Sequence, residues 1–221
     1  MAIPRQIFQT FKSEKLPLLT RMHIKRMLRR NREYTYHFYD DERIEKFLLE
    51  EFPREYYVAY KSLTVGAAKA DFFRYAILYK KGGIYLDIDC KLISRFRDFI
   101  KDSDEAIISI ENNGDLYTQW ALIFDAGHPF LKRTLELCLI NIFEHRYPHD
   151  VHQTTGPTVF THAIQEVLQQ APNTPYREMG MEYEGHIDDK YKLAKFFLYK
   201  NRKEHWKKQQ LSQDIIKPFE E

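Results

Sequence analysis

Ala70-Asp71-Phe72-Phe73-Arg74-Tyr75, followed by Lys81-Gly82-Gly83-Ile84-Tyr85-Leu86-Asp87-Ile88-Asp89, is the stretch on which the reading of this chain turns. Its first part lies in residues 65–80, a mostly apolar run of helical length that stops at Gly82-Gly83, where glycine closes a helix and turns the chain. Asp71 and Arg74 are three residues apart and share one face of that helix. An acid and a base set among Ala67, Ala68, Phe72, Phe73 and Ile77 are not there merely to be solvated. They form a buried ion pair that fixes the fold, or they are presented to a ligand. The second part reads as a strand over residues 84–90. A period of two puts Ile84, Leu86 and Ile88 on one face and Tyr85, Asp87 and Asp89 on the other. Two carboxylates this close repel unless a positive charge joins them. A hard divalent cation with oxygen ligands, magnesium or manganese, answers that repulsion and leaves positions open for phosphate oxygens.

Working outward, residues 3–11 read as a strand, residues 16–30 as a helix ended by Asn31, and residues 34–39 as a second strand. Strand–helix–strand at the start of a chain predicts a parallel βαβ unit. No G-x-G-x-x-G accompanies it, so a dinucleotide fold is not indicated. Asp40 or Asp41 is placed to cap a helix running to about residue 51, and Pro53 to begin another. Residues 106–110 and 121–124 read as short strands, and 130–145 and 158–170 as helices. No linker or repeat interrupts the chain, which is read as one domain over residues 1–221 of α/β class.

The composition is that of a globular protein, with 43% apolar and 30% charged residues. A net charge of +2 gives no general case for nucleic acid. Fifteen Tyr and 16 Phe build an aromatic core, with some placed to line a pocket for flat rings. Cys90 and Cys138 do not make a disulfide framework and suit a reducing compartment. No stretch approaches the ~20 apolar residues of a membrane helix, and the first residues lack the apolar run of a signal peptide. The expectation is a cytoplasmic protein with at most peripheral contact at the inner membrane face.

Taken together, these residues resemble the DXD-containing sugar transferases, a family that includes the fungal initiating mannosyltransferase, the lactosylceramide galactosyltransferase and bacterial capsular transferases. The large glucosylating bacterial toxins are more distantly similar. The shared features occur here in order: Ile3-Pro4 with Ile7 and Gln9; Ala70-Asp71 with Arg74-Tyr75; Gly82-Gly83 with Tyr85, Asp87 and Asp89. Gly127-His128-Pro129 and Thr155-Gly156-Pro157 match as well, so the resemblance spans about residues 3 to 160. It implies an A-type glycosyltransferase fold, a nucleotide-binding, mostly parallel sheet flanked by helices. It also implies transfer of a hexose, with retention, from a nucleotide-sugar donor, a UDP-sugar or GDP-mannose, to a glycan or glycolipid acceptor. By the same resemblance Gln9 and Thr10 meet the nucleotide, and Asp71 and Arg74 the donor sugar. Asp87 reaches ribose or sugar hydroxyls, Asp89 binds manganese or magnesium with Asp87 in support, and Gly83 and Tyr85 complete the donor-binding set. Asp87, Asp89 and Arg74 are the catalytic expectation. The family's C-terminal His-Trp pair is matched by His205-Trp206, making His205 a further candidate metal ligand and Trp206 a cover for the donor; Gln209-Gln210 stands where a Ser-Trp pair would fall.

Two other readings are set beside this one: a non-catalytic sugar-nucleotide binding module, and a phosphatase or phosphotransferase with Asp87 as nucleophile. The Thr or Val expected after such a motif is replaced here by Lys91. His145, His149 and His152 are spaced for a metal on one helix, but Pro148 breaks that helix, and they are read as loop histidines. The cationic segment 21–32 and Lys207-Lys208 have two readings, contact with an anionic membrane or glycolipid and a solvated helix face, of which the second is preferred.

Overall fold

The structure, a computed structural model, describes residues 3–111, 114–191 and 206–217. Strand β1 (Gln6–Thr10), helix α1 (Leu18–Arg30) and strand β2 (Thr35–Tyr39) form the expected βαβ unit, with Gln6 beside Thr35 and Thr10 beside Tyr39 in parallel register. Asn31 ends α1: its amide donates to the Met27 carbonyl at 2.8 Å. Helix α2 (Asp41–Glu51) is capped by Asp40, whose carboxylate accepts from the Arg43 N–H at 3.0 Å, and α3 (Arg54–Ser62) starts after Pro53. Helix α4 (Gly66–Lys81) is the central one, buried along most of its length and closed by Gly82.

The remaining elements are β3 (Gly83–Leu86), β4 (Lys91–Leu92), a tight turn at Phe96–Asp98, β5 (Ala106–Ser109), β6 (Ala121–Phe124), α5 (Pro129–Phe143), α6 (Val151–Thr154), α7 (Pro157–Gln170), β7 (Arg177–Met179), a left-handed turn at Met181–Gly185, β8 (Ile187–Asp188) and α8 (Trp206–Ser212). Six strands make one sheet in the order β2-β1-β3-β6-β5-β7, in which β6 alone runs against the others. Alternation along the strands sorts their side chains into two cores. Phe8, Tyr85, Ile108 and Leu122 pack with α2 to α5 and α7 on one side, whereas Ile7, Ile84, Leu86 and Ile123 pack with Met27 of α1, Phe96 and Tyr183 on the other. The result is a three-layer α/β arrangement of the A-type kind, with helices on both faces of the sheet.

One expectation is corrected. The strand predicted over residues 84–90 stops at Leu86, and Asp87, Ile88 and Asp89 form a turn. The last ladder bond is Asp87 N–H to the Trp120 carbonyl at 2.7 Å; the Cys90 N–H then folds back onto the Asp87 carbonyl at 3.0 Å. Strand β1 pairs with β3 only at Ile84 and Tyr85, and beyond them the Gln9 side-chain amide donates to the Asp87 carbonyl at 3.1 Å. With no backbone partner on that side, the chain turns. Tyr85 and Leu86 keep the expected alternation, but Ile88 joins a third cluster with Tyr191, Leu19 and Phe38.

Candidate active site

The turn Asp87–Asp89 lies at the carboxyl end of β3, where open α/β sheets present their ligand sites. Asp87 is held in place from behind. Its Oδ1 accepts from Arg74 Nη2 at 2.9 Å and from the Tyr85 hydroxyl at 3.0 Å, and the Arg74 guanidinium lies over the Tyr85 ring at 4.9 Å. Arg74 Nη1 donates to the Gln119 carbonyl at 2.8 Å and pairs with Asp71 Oδ1 at 3.2 Å. The Thr155 hydroxyl donates to Asp71 Oδ2 at 3.1 Å, and the Tyr75 hydroxyl lies between the Gln119 side-chain oxygen and the Thr155 carbonyl. Asp71, Arg74, Tyr75 and Tyr85 are all buried, while the Asp87 side chain is 31% exposed. The helix α4 pair is thus both an ion pair and the support of a carboxylate at the surface.

Asp89 differs from Asp87. It is 4% exposed, and its Oδ2 is buried with no hydrogen-bond partner. Its backbone is fixed by the Tyr191 N–H, which donates to the Asp89 carbonyl at 2.9 Å. Burial, together with the charge of Asp87, pushes its carboxyl up to about 7, against the opposing pull of Lys190. Burial likewise raises Asp71 to about 7; Arg74 opposes this, and Asp87 adds to it. Arg74 is raised, the neighbouring carboxylates outweighing its burial.

These residues fit a divalent cation. A buried carboxylate oxygen without a partner beside a second, half-exposed carboxylate is a site short of positive charge, and its donors are the hard oxygens that magnesium and manganese take. No group of three or more His, Cys, Asp or Glu side chains converges among the described residues. A cation here would therefore complete its shell from solvent, a ligand or other parts of the chain.

The other expected positions are placed as follows. Gln9 is buried, donates to the Asp87 carbonyl and accepts from the Tyr36 hydroxyl at 3.2 Å, and the Thr10 hydroxyl donates to the Tyr39 carbonyl at 2.8 Å. Gly83 opens β3 and stands at the opposite end of that strand from Asp87, packed on Gln6. Trp206 opens α8, and His205 lies outside the described residues. His145 and His149 turn toward Asp214 and the Gln213 carbonyl, each at 3.3 Å, and not toward a shared metal. Sequence reasoning missed Gln119, Lys190 and Tyr191. The first precedes β6, and the other two follow β8 in a polar stretch with no motif. Thr155 had a signal, the Thr-Gly-Pro match, but no assigned role.

The family profile described as the glycosyltransferase sugar-binding region containing DXD motif matches residues 18–108, which hold α4, β3 and both turn carboxylates. Around this region the chain is 29% identical over 179 residues to inositol phosphoceramide mannosyltransferase 3 of Schizosaccharomyces pombe, covering 78% of this chain and 47% of that protein. It is 25% identical over 150 residues to the initiation-specific alpha-1,6-mannosyltransferase of Candida albicans, covering 53% of this chain and 39% of that one. The chain thus spans less than half the length of either relative. Among solved structures it is similar to the PaToxG glycosyltransferase, with a TM-score of 0.59 and 20% identity over 77% of this chain and 70% of that one, a likeness of fold. No helix among the described residues is long and apolar enough to cross a membrane.

Proposed function

We propose that the chain is a metal-dependent, retaining glycosyltransferase that moves a hexose from a nucleotide-sugar donor to a hydroxyl of a glycan or glycolipid. The observation that carries this reading is the Asp89 carboxylate, buried with an unpartnered oxygen beside an Asp87 held in fixed orientation from within the protein. Asp89 and Asp87 would hold manganese or magnesium, with His205 as a further proposed ligand. A cation bound there neutralises charge developing on a departing diphosphate. Arg74 and Tyr85 keep one Asp87 oxygen engaged, which leaves the other for the cation or the donor's hydroxyls. Asp71, Thr155 and Gln9 act one layer further back, fixing Arg74 and the Asp87 peptide. Lys190, whose pKa is raised by Asp189, Asp89 and Asp87 against its partial burial, supplies a cation at the rim suited to phosphate.

Retention fits front-face attack in which the leaving phosphate takes the acceptor's proton, because Asp71 is sealed by its partners and Asp87 is tied by two donors. Trp206 is proposed to cover the donor and exclude water. The two relatives described above are mannosyltransferases, which puts mannose first among the sugars and GDP-mannose beside the UDP-hexoses as donor. The free thiols of Cys90 and Cys138 suit a cytoplasmic setting.

A thermal-shift screen of UDP- and GDP-hexoses, each with and without manganese, tests the reading. One donor should raise Tm only when manganese is present, with stabilisation near ~2.7 kcal/mol at a hundred times its dissociation constant. Absence of a shift with every donor in the presence of metal would count against it.

A further inference from the structure

Helix α1 carries Arg21, Lys25, Arg26, Arg29 and Arg30, and Arg32 follows just after it; no acidic residue lies between Glu14 and Glu33. All six cations are exposed, and among the described residues none is paired with a carboxylate. On a 3.6-residue helix Leu18, Met22, Lys25 and Arg29 fall along one stripe, directly opposite the buried Thr20 and Met27. Leu18 is 72% exposed and Met22 57%. The outer stripe is thus apolar in its first turns and cationic in its last. At that cationic end Arg29, Arg30, Arg32, Arg95 and Arg97 line a cleft of about 520 Å3, with Glu33 and Asp98 its acids and Asp98 already held by Arg95. In a chain whose net charge is only +2, α1 and the cleft form a local cationic surface.

We propose that α1 and this arginine cleft dock on an anionic lipid bilayer. A solvated helix face needs neither two large apolar side chains at its outermost line nor the exclusion of every acid. A peripheral membrane helix needs both: apolar side chains that enter the headgroup boundary and cations that meet lipid phosphates. The cleft is sized and charged for phosphate-bearing headgroups, and Arg is the side chain whose planar fork matches phosphate. The surface is also joined to the acidic turn. The Thr20 hydroxyl lies 2.7 Å from the Tyr191 hydroxyl, His23 stacks on the Tyr191 ring at 4.2 Å, and the Tyr191 N–H holds the Asp89 carbonyl. A bilayer that holds α1 therefore fixes the orientation of the Asp87–Asp89 turn relative to its surface.

Cosedimentation of the full chain with vesicles tests this without donor, metal or turnover, so its outcome is separate from that of the transferase reading. With phosphatidylcholine vesicles containing roughly a third phosphatidylserine, the wild-type chain should sediment, and with phosphatidylcholine alone it should not. The triple variant Arg26→Glu, Arg29→Glu, Arg30→Glu should lose binding by at least about tenfold, and Leu18→Ser with Met22→Ser should weaken it at unchanged charge. Each variant is checked for a wild-type melting curve. In Met22→Trp, the fluorescence of the new indole should shift to the blue on adding anionic vesicles. Equal binding to neutral and anionic vesicles, undiminished binding by the charge-reversed chain, or preference for a single-stranded oligonucleotide over vesicles would overturn the proposal.

Discussion

Arg74 sits between two carboxylates, 3.2 Å from Asp71 and 2.9 Å from Asp87, in surroundings that exclude solvent. One cation shared between two acids leaves Asp71 the poorer, because Asp87 has solvent and the Tyr85 hydroxyl as well. Hence the Asp71 carboxyl is pushed up to about 7, with burial as the main cause. Its unfolded value is about 3.9. A carboxyl raised on folding contributes stability that is complete below pH ~4 and lost as pH rises through ~7. The metal-free chain should therefore lose stability across that window, by at most roughly 4 kcal/mol from this residue. Urea denaturation of wild type and Asp71→Asn between pH 4 and 8 measures it. The asparagine, still able to meet Arg74 and Thr155, should flatten the slope; an unchanged slope would place its origin elsewhere. The Asp71–Arg74 spacing was legible because residues three apart on a helix are neighbours. That Arg74 also reaches Asp87 and the Gln119 carbonyl was not, because those contacts depend on how α4 lies against β3 and β6.

Strand β3 shows how a local pattern can be right and its end still wrong. Alternation places Tyr85 toward α4 and Ile84 and Leu86 toward α1, as the sequence predicts. The apolar–acidic alternation simply continues through Ile88 and Asp89, and nothing in it marks where β1 stops pairing. The tight entry to β3 is more legible, since Gly82-Gly83 announces it. Gly83 has φ +109, and a Cβ there would stand 2.7 Å from the Gln6 carbonyl oxygen. Gly83→Ala should thus cost both backbone strain and a steric shift of β1, roughly 3 kcal/mol together. Gly127, at φ +73 with open space around it, isolates the strain alone, and Gly127→Ala should cost about 1 kcal/mol. Urea midpoints of the two variants give the comparison, and equal losses would mean that the Gln6 contact is harmless.

At the scale of the molecule, the sheet order gathers pieces far apart in the chain around one turn. Strand β3 enters between β1 and β6, bringing Gln9 to one side of Asp87 and Gln119-Trp120 to the other. The turn between α6 and α7 delivers Thr155 behind Asp71, and the chain after β8 returns to lay Tyr191 on Asp89 and Lys190 near both acids. The βαβ opening and the helix–strand core of the site were readable because periodicity and spacing encode them. The return of residues 190–191 was not, because it rests on the pairing of two-residue strands β4 and β8, too short to leave a pattern. The central claim is that Asp87 and Asp89 together bind a divalent cation that activates a nucleotide-sugar. The most direct measurement is manganese-dependent release of nucleoside diphosphate from the donor that passes the thermal screen, by wild type, Asp87→Asn and Asp89→Asn. Wild type should turn over only with metal, and each variant, folded by its melting curve, should fall by at least about a hundredfold. Metal-independent turnover, or wild-type rates in Asp89→Asn, would contradict the account.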